Sequence, residues 1–247
     1  PIGDVQYGDF LFCMMDQLVN EAAKMRYMSG GKVKVPMVMR APVGATTRGA
    51  QHAQSLEGFF THVPGIKVIC PATAYDAKGL MKQAIRDDNP VLVFEHKLLY
   101  GNRGNRIEQD ALNPVGEVPD EEYLIEFGKA AVRREGTDIT VVANLLMQYK
   151  TLEAAEILDT EGISVEVIDP RTLVPFDYNT LITSLKKTSR LAIVHEDTLS
   201  SGWGAEISAY IAEHALYYLD APIKRICTPD VPIPFAPNLE RHVIPST

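Results

Sequence analysis

At 247 residues the chain is long enough for one large α/β domain or two smaller ones. Its 46% hydrophobic and 23% charged content is the balance of a soluble globular protein, and no apolar run reaches the ~18 residues of a membrane span. A formal net charge of −8, with Lys and Arg scattered along the chain, argues against nucleic acid or a membrane surface as partner.

The three cysteines, Cys13, Cys70 and Cys227, are far apart and form no CxxC or zinc spacing. Their odd number and apolar flanks predict buried free thiols in a reducing, cytoplasmic compartment. The chain opens at Pro1 without a Met, runs almost at once into the apolar Phe10–Met15, and ends at Ile244-Pro245-Ser246-Thr247. Both ends are expected to be cuts from a longer protein.

Along the chain, Phe10, Met14, Leu18, Ala22 and Met25 recur at helical spacing, predicting an amphipathic helix stopped by Ser29-Gly30-Gly31. The preceding Gln6-Tyr7-Gly8-Asp9-Phe10 puts two aromatics and an amide at a strand-to-helix entry. Val35–Arg40 reads as a buried strand, and Leu56–Phe60 as a short helical turn. Gly65–Pro71 reads as a second strand, and Thr73 as the cap of a helix with Ala77, Leu80, Met81, Ala84 and Ile85 on one face. That helix stops at Asp87-Asp88-Asn89-Pro90, and Val91–Glu95 is a further strand. This is the βαβ rhythm of a parallel sheet.

Residues 101–125 turn polar, with Gly and Pro punctuation, and read as a linker. A second series follows: strands at 139–143, 165–169, 191–195 and 223–227, and helices near 147–161, 177–187 and 203–219. The Pro-rich Pro229–Pro234 cannot pair inside a sheet and is expected to run as an extended arm over the surface or onto a partner.

The stretch with most chemical promise is Gly44–Ser55. It leaves a strand end, where open α/β sheets place ligand sites, and carries Arg48, Gln51, His52 and Gln54 among small residues. A His there can move a proton near neutral pH; equally, it can be one solvated His on a surface loop. His195-Glu196-Asp197 also ends a strand, but reads first as a His satisfied by its neighbours or as part of a domain interface. Asp87-Asp88-Asn89-Pro90 reads first as a helix-ending turn, although such an end offers carbonyls to a hard cation. His62, His96, His214 and His242 show no partner pattern and read as structural or exposed. GxGxxG, Walker, GxSxG and HExxH patterns are all absent.

Several long runs carry a family likeness. They are Asp16–Gly31, Gly49–Ser55, His62–Val68, Asp76–Leu80, Ala84–Pro90, Val167–Leu173 and Gly204–Ile207. Together, in this order, they resemble the β subunit of the E1 component of 2-oxo acid dehydrogenase complexes, a family that includes pyruvate, branched-chain 2-oxo acid and acetoin dehydrogenases. The resemblance implies an α/β fold of two three-layer αβα domains with mainly parallel sheets. These would be an N-terminally truncated thiamine diphosphate pyrimidine-binding domain over 1–118 and a transketolase-like C-terminal domain over 119–247. It implies an α2β2 heterotetramer in which the α subunit holds the diphosphate and Mg2+, with the E2 lipoyl acyltransferase as the next partner. The substrate would be a small 2-oxo acid or acetoin. A transketolase would fit the domain order but not the long runs.

Residue by residue, the resemblance makes Gln6 and Phe10 contacts of the aminopyrimidine ring and His52 the β-subunit active-site His. It makes Met37, Ala84, Ile85, Asp87 and Asn89 a structural K+ site, the apolar members acting through backbone carbonyls. One departure stands out. Family members carry a Glu, upstream of Pro1, that bonds the aminopyrimidine N1′; Asp4 and Asp9 lie in the wrong segment to replace it. A non-catalytic assembly or E2-docking subunit with a decayed site is therefore the alternative reading.

Overall fold

A computed structural model describes residues 1–100 and 114–247. In chain order, β1 (Ile2–Asp4) leads through a 3-10 turn at Gly8–Met14 and a π-helical stretch at Asp16–Ala22 into α1 (Ala23–Met28). Then come β2 (Val38–Val43), α2 (Glu57–Thr61), β3 (Lys67–Ile69), α3 (Ala74–Arg86) and β4 (Val91–His96). The second half runs β5 (Ala131–Arg134), β6 (Ile139–Ala143), α4 (Leu145–Thr160), β7 (Val165–Asp169), β8 (Thr172–Val174) and α5 (Tyr178–Thr188). It closes with β9 (Leu191–Thr198), α6 (Trp203–His214), β10 (Lys224–Thr228) and α7 (Pro237–Val243).

Two five-stranded sheets result, in the orders β1-β2-β4-β3-β8 and β10-β9-β6-β7-β5. Each is parallel except at one edge, where β8 and β5 pair antiparallel. Their central strands are buried on both faces, as helix-covered parallel strands are. Strand β8 lies in the second half of the chain yet completes the first sheet. One core therefore runs from Val68, Phe94 and Phe60 to Leu173, Ile193 and Trp203.

Local rules explain the helix ends. The Thr73 hydroxyl accepts from Asp76 N (3.1 Å) and donates to Asp76 Oδ2 (2.6 Å), a reciprocal cap for α3. Asp177 caps α5 by accepting from Thr180 N at 3.1 Å. The polar segment from 114 onward packs across α3: Ile125 is buried, and Gly79 leaves it room, since a Cβ there would stand 2.6 Å from Ile125 Cγ1. The earlier part of the expected linker, 101–113, lies outside the described residues.

Two expectations are corrected. The helix predicted from Phe10 to the stop at Ser29-Gly30-Gly31 is broken into 3-10, π and α turns, so Phe10 and Met25 face outward while Leu18 and Ala22 pack inward. The same rotation exposes Cys13, and Cys227 is only half-buried; Cys70 alone of the three is fully buried. The Pro-rich arm runs over the surface as expected, with Pro229–Pro232 exposed, and is anchored by Ile233, which packs on Ala45 and Ala53 ahead of α7.

Candidate functional site

Three chain segments leave the carboxyl ends of neighbouring strands in the first sheet and meet at His52. From β1 come Tyr7, Asp9 and Phe10; from β2 comes the loop 44–55; from β4 comes Lys97. The Tyr7 and Phe10 rings stand edge-on to the His52 imidazole, with centroids at 5.2 and 5.4 Å. The Lys97 ammonium donates to the His52 carbonyl and sits 4.8 Å above the Tyr7 ring. Asp9 accepts from Gln54 Nε2 at 2.7 Å, pinning the far end of the loop. Gln54 and His52 are thus brought together, whereas Gln51 points to solvent. Gln6 and Phe10 are both exposed beside this cluster.

The second half of the chain holds the same loop. Glu196, at the end of β9, accepts from Ala45 N at 2.6 Å with one oxygen and from His96 Nε2 at 2.7 Å with the other. His96 Nδ1 accepts from Leu98 N at 3.2 Å, so the imidazole proton is on Nε2, facing Glu196. Glu240 of α7 accepts from Thr47 N with both oxygens, at 2.9 and 2.8 Å. Gly44 has φ +93°, and a Cβ there would lie 2.0 Å from His96 Nε2; only glycine fits. The β2–β4 register, Val43 opposite His96, creates that close approach.

Burial sets the charges. It pushes the Lys97 ammonium down to about 8, against the pull of Asp9 and Glu196. Burial also pushes Glu196 upward, but His96 and the Ala45 N–H outweigh it and hold the carboxyl below its usual range. Behind the loop, burial and then the neighbouring Asp197 charge raise the Glu57 carboxyl; burial likewise raises Asp197. Burial lowers His195 to about 4, so it is a neutral imidazole, Nδ1 toward Asp197 O at 3.1 Å and Nε2 accepting from Gly204 N at 3.3 Å. The 195–197 segment is thus a domain interface.

The residues Met37, Ala84, Ile85, Asp87 and Asn89 gather at the opposite ends of the strands. Val35 N donates to Asp88 O and Val91 N to Met37 O, both at 2.9 Å, setting Met37 against the turn that ends α3. The Asp87 carboxylate is engaged there: it accepts from Asn89 N and Nδ2, both at 2.8 Å, and pairs with Lys67. No group of three or more His, Cys, Asp or Glu side chains suited to a metal ion exists among the described residues. A cavity of about 650 Å3 lies away from His52, walled by His62, Tyr178, Trp203 and Glu206.

Residues 1–103 match the transketolase pyrimidine-binding domain, and residues 128–247 match the transketolase C-terminal domain. The chain is 46% identical over its whole length to the β subunit of acetoin:2,6-dichlorophenolindophenol oxidoreductase of Cupriavidus necator, covering 70% of that protein. It is 44% identical, over 98% of the chain and 71% of the relative, to the 2-oxoisovalerate dehydrogenase β subunit of Bacillus subtilis. With the pyruvate dehydrogenase E1 β subunit of Rickettsia felis it shares 44% over the full chain and 72% of the relative.

The chain belongs to the E1 β-subunit family.

A split-gene transketolase, solved as an inactive β4 tetramer, shares the fold, with a TM-score of 0.73 at 23% identity over 94% of this chain and 68% of that one. Sequence reasoning placed Glu196 at a domain interface but missed that it, His96, Lys97 and Glu240 secure the 44–55 loop. The one signal on offer was the position of His96-Lys97 and His195-Glu196 at two strand ends. No described helix is long and apolar enough to cross a membrane.

Proposed function

We propose that this chain is the β subunit of a thiamine diphosphate-dependent E1 dehydrogenase. Such an enzyme decarboxylates a 2-oxo acid, or cleaves acetoin, and passes the acyl fragment to the lipoyl group of an E2 acyltransferase. The observation that carries the reading is the convergence of Tyr7 and Phe10 on His52 beyond the carboxyl ends of adjacent parallel strands, with Gln6 next to Tyr7 in the chain, in a chain of this family.

The residues fit the cofactor's pyrimidine half. Phe10 is 40% exposed and offers a ring face, and Gln6 offers an amide; a flat heterocycle with a polar edge needs both. Bound there, thiamine diphosphate supplies the carbanion chemistry, while the protein orients and tunes it. An α subunit would complete the site with the diphosphate and Mg2+ ligands. His52 is held at its backbone by Lys97 and at its ring by Tyr7 and Phe10, leaving the imidazole to hold or deliver a proton at the substrate-derived group and to assist transfer to lipoamide.

A K+ at the end of α3 would be bound by the carbonyls of Met37, Ala84 and Ile85 and their neighbours. The Asp87 carboxylate is not a free ligand, since Lys67 and Asn89 already occupy it. We place the domain boundary at 118/119, between the two matched spans.

The test is a natural full-length β chain co-expressed with its α subunit, assayed with pyruvate, branched-chain 2-oxo acids and acetoin. Turnover with one of them supports the reading and names the substrate; none, from an assembled tetramer, leaves the decayed-site alternative. His52→Ala is expected to lower reductive acylation of a lipoyl domain by at least 100-fold while the fold survives. Full activity in that variant would remove His52 from the mechanism.

A further inference from the structure

Two of the contacts by which the second domain holds the His52 loop pass through one side chain. Glu196 is buried, and its two oxygens face two N–H donors on different strands' loops, Ala45 N and His96 Nε2. Ala45 lies at the start of the loop that carries His52. His96 precedes Lys97, whose ammonium holds the His52 carbonyl. One carboxylate therefore ties down the start of the loop and the group that grips its far side. A second contact, Glu240 on Thr47 N, reinforces the start.

Resting on the reading of His52 as the working imidazole, we propose that Glu196 is the positioning residue that sets His52 in place from across the domain boundary. Its negative charge matters more than its size. An amide accepts at one oxygen only. In Glu196→Gln, either Ala45 N–H or His96 Nε2–H must face an NH2 group and lose its acceptor. If His96 moves its proton to Nδ1 instead, Leu98 N–H loses the acceptor it has at 3.2 Å. No arrangement of the isosteric amide keeps all three bonds, so the loop shifts. Misplacement of a catalytic group by about 1 Å can cost on the order of 100-fold in rate.

The test uses the assembled α–β protein in three variants: Glu196→Gln, His96→Gln and His96→Leu. Hydrogen exchange of the cofactor-free protein reads the loop without reference to activity. Protection over residues 44–55 is expected to fall in Glu196→Gln and His96→Leu. It should be partly retained in His96→Gln, which keeps an N–H donor near the Nε2 position but not the Nδ1 acceptor of Leu98 N–H; protection in α3 and α5 should stay unchanged in all three. Rate per cofactor-loaded site should then fall roughly 10- to 100-fold in the first two with KM within about threefold, and fall less in His96→Gln. Unchanged loop protection in Glu196→Gln, or an unchanged rate per loaded site, overturns the proposal. A general loss of protection in every helix also overturns it, because Glu196 would then serve the fold rather than the loop. Failure of the wild-type assembly to turn over any substrate would instead sink the reading of the function, while the exchange result would still decide whether Glu196 holds the loop.

Discussion

The buried charge cluster that joins the two domains yields a stability prediction. Asp76, in the first turn of α3, is fully buried and pairs with Arg133 of β5 and with Arg171 Nε at 2.8 Å. Arg133 also pairs with Asp169 of β7 at 2.7 Å, and Asp169 is equally buried. Two carboxylates thus neutralise two guanidiniums between α3 and the second sheet. Asp76→Asn keeps the shape and removes one charge, leaving Arg171 without its partner and aiming an amide N–H at a cation. Breaking a buried pair costs ~3–5 kcal/mol. Because Asp169 still neutralises Arg133, the lower end applies, about 3 kcal/mol. For a chain of this size each kcal/mol moves Tm by roughly 2–4 °C, so a fall of about 6–12 °C is expected. Calorimetry at pH 7 on the assembled protein measures it. A fall under about 2 °C would refute the claim that this cluster, rather than the shared apolar core, makes the domain boundary sensitive to charge.

Two further outcomes follow from the same kind of argument. Thr73→Ala removes the α3 cap and should lower stability by ~1 kcal/mol, seen as a Tm loss of roughly 2–4 °C; no change would mean Asp76 caps the helix unaided. Burial and then the Asp197 charge raise Glu57 to about 8 in the folded chain. A raised carboxyl binds more protons folded than unfolded, so its contribution is fully present below the ordinary carboxylate range and is lost as pH rises toward 8. Glu57→Gln, which can still accept from Asn144, should therefore flatten the decline of Tm between about pH 5 and 8 and be the more stable protein at pH 8. A parallel decline in both proteins would exclude Glu57 as its source.

Much of this architecture was legible because local pattern decides it. The runs Ile139–Ala143 and Val165–Asp169 form strands with the expected bounds, since short β-branched apolar runs bury on both faces. Thr73 and Asp177 each sit one residue ahead of an amphipathic face and cap it, as their side chains dictate. The family likeness, carried by long runs such as Gly49–Ser55, singled out His52.

The tertiary structure alone decided the rest, because those features depend on residues that meet only after folding. Glu196 reaches Ala45 across 151 positions and His96 across 100, and Arg133 reaches Asp76 across 57. No period or spacing in the sequence encodes those distances. Strand β8 has three residues, too few to show alternation, and owes its place to the free edge of β3. Cys13 has the apolar flanks on which the expectation of burial rested, yet faces out, because it lies in a 3-10 turn whose inward positions are Gly8, Asp9 and Leu11. Sequence determines which side chains are available and the elements on which they ride. The packing of the second domain on the first decides where the His52 loop stands, because buried carboxylates must find their donors wherever the two sheets bring them together.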